Sequence, residues 1–308
     1  MFSAGFFAIM SLVRRDGPCG ERRKDMARTR RVKSMAEGVA HYHLISRACN
    51  RQFLFRKARA KDKMVELLRK AAEFSGIRIE ACAMMDNHVH VLCTVTRTGG
   101  KEPAEEVVRR VRVLRGDRAA DALAGRLSGL GAAEQEAELR RYRSRMNDIS
   151  GFMKTAKELF AIWFNREFGY TGSAWEGVFK STMVEGGEYL ARCRRYIALN
   201  PVRAGIVGQA KDYRWALVAD GSGLAAFSGC LPEEAGLTRR VAQFGAGKIY
   251  GSEEFVRRWA AALGERFPAA HVGAHAVEDM GYSSHGWRLA KRIARQRAAT
   301  GGAAAVAA

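Results

Sequence analysis

Two apolar runs, Ile77 to Met84 and His88 to Val95, are separated by only the three residues Met85-Asp86-Asn87. A link that short joins antiparallel strands, because a parallel return needs a crossover of a dozen or more residues. The chain is therefore expected to build around an antiparallel sheet. Upstream, Val39 to Ala48 is rich in β-branched and aromatic residues and reads as another strand. Lys61 to Phe74 sets Met64, Leu67, Leu68 and Ala71 on one helical stripe, and Gly76 stops it.

Further along, Ile149 to Phe168 has the pattern of an amphipathic helix, with Phe152, Leu159, Phe160, Trp163 and Phe164 on its apolar face. Trp175 to Val184 alternates as a strand. Glu188 to Asn200 then reads as a helix that Pro201 is expected to end, since the residue before proline disfavours the helical conformation. Strand, helix, two strands, helix, strand and helix make an α+β domain, with helices packed on an antiparallel sheet, over residues 36–207. Residues 97–147 are charged, Ala-rich and broken at Gly116 and Gly129 to Gly131, and are read as an insertion, a solvated helical hairpin.

The flanks differ in character. Residues 1–35 hold nine Arg or Lys against three acids and read as a basic arm. Met26 opens Met-Ala-Arg-Thr-Arg-Arg and is an alternative start. Residues 208–308 form a C-terminal accessory region, Gly-rich until the periodic stretch Ser252 to Leu263. It is expected to close with a short basic helix, Trp287 to Arg297, and a disordered Ala-Gly tail.

Composition narrows the partner. With 47% hydrophobic residues a sizeable core can form, yet 52 Lys and Arg against 32 Asp and Glu leave a net charge of +20. Most of the cations are Arg, whose fork matches phosphate oxygens, so a nucleic acid is the expected partner. The early apolar run Phe6 to Val13 is far shorter than the roughly 20 residues a membrane helix needs. Arg14 and Arg15 follow that run instead of preceding it, which is not the order of a secretory signal. Cys19, Cys49, Cys82, Cys93, Cys193 and Cys230 show no Cys-x-x-Cys pair, which points to reduced thiols and a cytoplasmic location. No Gly-x-x-x-x-Gly-Lys-Ser/Thr loop is present to cradle a nucleotide.

Two short patterns carry chemistry. His88 and His90 alternate on one strand and so project from the same face, as half of a metal site or as two hydrogen-bonded core histidines. Tyr196 and Asn200 stand one helical turn apart. A phenol beside an amide carbonyl offers a nucleophile and an oxygen ligand for a metal held by two imidazoles. The alternative is that Tyr196 packs with Ile197 and Leu199 while Asn200 caps the helix.

Together these pieces resemble the HUH-superfamily transposases with a single catalytic tyrosine, in particular the REP-associated tyrosine transposases of the IS200-like group. The resemblance lies in His88-Val89-His90, in Tyr196-Ile-Ala-Leu-Asn-Pro-Val-Arg-Ala-Gly205, and in Trp175-Glu-Gly-Val-Phe-Lys-Ser181. It extends to Met26-Ala-Arg, His41-Tyr42-His43 and Asn50-Arg51-Gln52, and covers roughly residues 26–215. Glu176 and Val178 stand where the family usually has Gln and Arg, and Phe160 where a tyrosine is common.

The resemblance implies a ferredoxin-like HUH endonuclease core. It also implies a divalent ion, Mg²⁺ or Mn²⁺, on His88, His90 and Asn200, with Tyr196 as the nucleophile on single-stranded or hairpin DNA. The products would be a 5′-phosphotyrosine and a free 3′-hydroxyl. The cations expected on DNA are Arg28, Arg30 and Arg31 in the arm, Arg47, Lys180, Arg195 and Arg203 beside the motifs, and Arg288, Lys291 and Arg292 in the terminal helix. Either a monomer or a homodimer fits these features. The competing reading is a non-catalytic nucleic-acid-binding protein derived from a transposase.

Overall fold

The computed structural model describes residues 38–97, 100–220, 223–226, 248–266, 275–276 and 285–287. The basic arm, the terminal helix beyond Trp287 and the Ala-Gly tail lie outside these residues. So do Arg28, Arg30, Arg31, Arg288, Lys291 and Arg292.

The described chain runs β1 (Gly38–Arg47), α1 (Ala58–Ser75), β2 (Ile77–Met84), β3 (His88–Arg97), α2 (Ala104–Arg115), α3 (Asp117–Ser128), α4 (Ala132–Arg143) and α5 (Ile149–Phe168). It continues with β4 (Lys180–Val184), α6 (Glu188–Ala198), the single turn α7 (Asn200–Arg203), β5 (Ala216–Asp220), β6 (Gly223–Ala226), β7 (Ile249–Gly251), α8 (Glu253–Arg266), β8 (His275–Ala276) and β9 (His285–Trp287). The strands form one sheet in the order β6-β5-β2-β3-β1-β4-β7-β9-β8. All its pairings are antiparallel except that of β4 with β7. The fold is thus α+β, and the short β2–β3 link makes the hairpin its length requires.

The sheet is covered on both faces. On one face Tyr42, Leu44, Val89, Val91, Cys93 and Met183 pack beneath α1 and α5 in the main core. On the other, Ala81, Ala83, Leu92, Val184 and Tyr250 pack against Cys193, Tyr196 and Ile197 of α6. In strand β2 the residues that serve each core change parity, because its register with β3 shifts between Ile79 and Ala81. The extra residue is Glu80. Before it Ile77 and Ile79 face the main core; after it Cys82 and Met84 do, and Ala81 and Ala83 turn to the α6 side. A bulge of this kind reverses the alternation of a strand.

Helix α5 is nucleated at Asp148, whose carboxylate accepts from the Gly151 N–H at 2.9 Å. Its Phe160 is fully buried, with ring centroids of Phe55, Trp175, Phe164 and Trp163 at 5.0, 5.4, 5.5 and 5.8 Å. Phe160→Ala is expected to cost about 3–5 kcal/mol of stability, the range for truncating a buried aromatic. Urea unfolding followed by tryptophan fluorescence measures it, and a loss below 1 kcal/mol would contradict this packing.

Several sequence expectations are corrected. The strand expected over Trp175 to Val184 begins only at Lys180. Trp175 makes an isolated bridge to Ala48, and Gly177, at φ 144°, bends the chain between them. Pro201 does not end the helical run. α6 stops at Ala198, and Pro201 sits in the first turn of α7, where its missing N–H costs nothing. Trp287 lies in β9 rather than opening a helix.

The insertion is not a solvated hairpin but three helices with a core of their own. Val107, Val111, Leu123, Leu127, Leu139 and Met146 are buried there with Phe74 of α1. It docks where Gly76 ends α1 in a left-handed conformation at φ 63°; a Cβ there would lie 2.6 Å from an Arg110 guanidinium nitrogen and 3.0 Å from the Asn147 side-chain oxygen. Residues past 207, read as an accessory region, supply strands to both sides of the same sheet.

Candidate active site

The strand register assembles the site. Opposite residues of an antiparallel pair point to the same face. Arg47 is paired with His88, Ile45 with His90, and His43 with Leu92. His43, Arg47, His88 and His90 therefore share the face that α6 covers. Across β1, Lys180 is paired with Ile45 and Thr182 with His43.

Three imidazoles cluster there. The rings of His43 and His90 stack at 5.0 Å, with His43 Nε2 and His90 Nδ1 hydrogen-bonded at 2.8 Å. The His88 ring stands edge-on to His90 at 4.9 Å. His88 Nδ1 donates to the Asn87 side-chain oxygen at 2.6 Å, which leaves Nε2 as the nitrogen with the lone pair. When His90 Nδ1 is the donor to His43, its Nε2 likewise keeps its lone pair.

Burial, with the charges of Arg203 and His88 acting the same way, pushes His43 down to about 3. Burial likewise holds His90 well below its ordinary value, with His88, His43, Arg203 and Arg47 acting the same way. Both rings are neutral at physiological pH, the form a metal requires.

A pH dependence follows. Above pH 6.5 these histidines are neutral both folded and unfolded. Below it only the unfolded chain takes up the protons, so stability falls as pH drops from 6.5 towards 3. For His43 alone the loss is about 2 kcal/mol at pH 5. Urea midpoints at pH 7.5 and 5, with chelator present, should show it, and His43→Gln should flatten the dependence. An unchanged slope in that variant would contradict the buried neutral imidazole.

Tyr196 reaches this cluster from α6. Its ring stands edge-on to His43 at 6.3 Å and to His90 at 6.4 Å. Only 4% of Tyr196 is exposed. The Arg203 guanidinium covers its ring at 3.9 Å and donates to the Tyr196 carbonyl. Arg203 also donates to Asn200 Oδ1 at 2.8 Å, so the amide oxygen is held by a cation, while the buried Asn200 Nδ2 has no hydrogen-bond partner among the described residues.

The described donor set therefore fits a metal at His88 and His90 and departs from it at Asn200. Among the described residues no group of three or more His, Cys, Asp and Glu has a ligating arrangement. Tyr189, on the same helix, turns to Tyr250 at 5.6 Å instead.

The structure thus brings together Tyr196, His88, His90, Asn200, Arg47 and Arg203. Lys180 lies exposed beside them on β4, and Arg195 is half-buried on α6. Sequence reasoning missed two participants, His43 and Asn87, which engage the Nδ1 atoms of His90 and His88. The alternation His41-Tyr42-His43 placed His43 on one face of β1; only the register shows that it is the face of His90. The cysteines described, Cys49, Cys82, Cys93 and Cys193, are free thiols. Among the described residues no helix is long and apolar enough to cross a membrane.

An antiparallel sheet carrying a histidine pair, closed on that face by a tyrosine-bearing helix, defines the class of site. Residues 38–111, which supply β1, β2 and β3, match the family model "Transposase IS200 like". No curated protein matches the chain. Among solved structures, a REP-associated tyrosine transposase bound to a REP hairpin is 16% identical, with 62% of this chain and 82% of that chain aligned at a TM-score of 0.39. A Deinococcus radiodurans R1 protein described as a candidate transposase is also 16% identical, with 55% and 95% aligned at a TM-score of 0.29.

Proposed function

We infer that the protein is a transposase-type nuclease that nicks single-stranded or hairpin DNA with Tyr196 and rejoins the ends by the reverse reaction. The observation that carries this reading is the convergence of Tyr196 with His43 and His90 on one sheet face, inside a fold whose first three strands match the IS200-like family. The +20 charge supplies attraction for the polyanion.

In the forward step the Tyr196 hydroxyl oxygen bonds to phosphorus and the bond from phosphorus to the 3′-oxygen breaks. The phenolic proton leaves to solvent, and the 3′-oxygen takes up a proton to become a free hydroxyl. Because the phosphotyrosine ester keeps the phosphodiester bond energy, a second 3′-hydroxyl can reverse the step without a nucleotide cofactor. His88 and His90 would hold a divalent ion, Mg²⁺ or Mn²⁺, with Asn200 as the third ligand the family pattern implies; when bound it supplies polarisation of the non-bridging oxygens.

The residues themselves do the rest. Asn87 and His43 orient the two imidazoles, as outer partners of metal-ligating histidines do. Arg203 brings a permanent positive charge to the tyrosine, where a phosphate must arrive. For Asn200 to face a metal, Arg203 must release its amide oxygen, and a phosphate is the anion that would draw the guanidinium away. The same movement would uncover Tyr196.

The test is a denaturing gel of the full chain with 3′-labelled single-stranded hairpin DNA and Mn²⁺. A covalent protein–DNA band is expected. A non-catalytic DNA-binding protein, or a hydrolase acting through bound water, gives none.

A further inference from the structure

The segment between β1 and α1 was matched to the family at Asn50-Arg51-Gln52, and the nicking chemistry gives it no task. Its position ties it to the site. The Ala48 N–H donates to the Asn87 carbonyl at 2.9 Å and the Phe55 N–H to the Asp86 carbonyl at 3.0 Å, so the segment lies along the turn that precedes His88. Leu54 and Phe55 are buried and anchor it, while Phe53, the residue just before them, is 54% exposed. The Arg56 guanidinium lies 4.7 Å from the Phe53 ring centroid.

A lone exposed apolar side chain is ordinary on a protein surface. Here the surroundings are not. Residues 47–61 contain six cations and no acid. Arg59 and Lys61 are neutralised by Glu167 and Asp86. Arg47, Arg51, Arg56 and Lys57 have no ion-pair partner among the described residues, whereas the exposed Arg109 and Arg112 of α2 do. Asn50 and Arg51 hold left-handed conformations at φ 51° and 56°, which L side chains adopt at a cost. The segment thus presents an aromatic face among guanidinium groups without an ion-pair partner among the described residues, and its backbone is tied to the turn that leads into His88.

We propose that residues 49–57 form a ledge that binds an unpaired nucleotide next to the scissile phosphate, with Phe53 stacked on its base and Arg51 and Arg56 on its phosphates. Only the word "scissile" rests on the nicking reading; the binding itself stands on exposure and charge. Stacking accepts any base through its π face, and arginine adds both cation–π and phosphate contacts. A duplex keeps its bases stacked on one another and offers no such face, so the ledge favours single strands.

Fluorescence anisotropy with a labelled 12-nucleotide single strand tests this, in full-length protein carrying Tyr196→Phe so that binding is read without cleavage. Phe53→Ala is expected to weaken single-strand affinity roughly 5- to 100-fold, the range for losing one aromatic–base stack. Phe53→Trp should restore it, and affinity for a duplex of the same length should change less than about twofold. Because Phe53 is exposed, the unfolding midpoint should not move.

Unchanged single-strand affinity, or an equal loss on duplex, would overturn the ledge. So would a change in sedimentation with no change in DNA affinity, which would assign Phe53 to a contact between copies of the chain. A protein that shows this Phe53 dependence but forms no covalent adduct, when Tyr196 is intact, would sink the nicking reading and leave the ledge standing.

Discussion

Tyr196→Phe is expected to remove covalent capture and cleavage of hairpin DNA, by a factor on the order of 10⁴ or more, while leaving DNA affinity within about twofold. The substitution deletes one oxygen. The ring keeps its edge contacts with His43 and His90, and Arg203 keeps its place over the ring face. Folding and the basic surface are therefore preserved, and what disappears is the atom that forms the ester.

A 3′-labelled strand is the informative substrate, because a 5′-phosphotyrosine retains the downstream fragment. Label still migrating with the Phe variant under denaturing conditions would show that the nucleophile lies elsewhere. Tyr189 is a poor substitute, since its ring packs on Tyr250 and under the Arg192 guanidinium at 4.9 Å.

The second large effect concerns the imidazoles, and the structure separates two variants that sequence treats alike. His88→Ala removes a half-exposed ring whose Nδ1 partner is its own neighbour, Asn87. It should abolish metal-dependent nicking and weaken Mn²⁺ binding roughly 10- to 100-fold or more, at little cost to the fold. His90→Ala should lose the same activity and also destabilise the protein, by about 1–3 kcal/mol, because the buried His43 Nε2 is left without its partner. Calorimetric Mn²⁺ titration and urea unfolding read the two effects separately. If either variant binds Mn²⁺ as the parent does, the histidines are core residues and the metal reading is wrong.

Local patterns were legible wherever one physical signal dominated. The stripe of Met64, Leu67, Leu68 and Ala71 ends at Gly76 because only glycine adopts the left-handed cap without strain, and α1 ends there. The run Ile149–Phe168, with Asp148 before it and Gly169 after, is a helix from end to end. Legibility failed where two signals competed. Trp175 to Val184 alternates like a strand, but Gly177 and the burial of Trp175 among Phe55 and Phe160 take its first half out of the sheet. Around Pro201 the sequence rule for helix ends met a turn at Leu199, with φ −84° and ψ −1°, that had already ended α6 and let proline open the next turn.

By itself, then, the sequence determined the antiparallel hairpin, the order of β1, α1, β2, β3, α5, β4 and α6, and the shared face of His88 and His90. Each is a matter of periodicity or chain reach over a few residues. Tertiary structure decided what needs long-range register. It set His43 of β1 against His90 of β3, 47 positions apart in sequence, and placed α6 on the sheet face they share. It set the bulge at Glu80, which reverses the alternation of β2 so that Ala81 and Ala83 face α6. It held the Asn200 oxygen on Arg203 instead of turning it to the histidines. None of these follows from local pattern, because a one-residue slip in strand pairing would send His43 to the opposite face with no change in composition, spacing or motif.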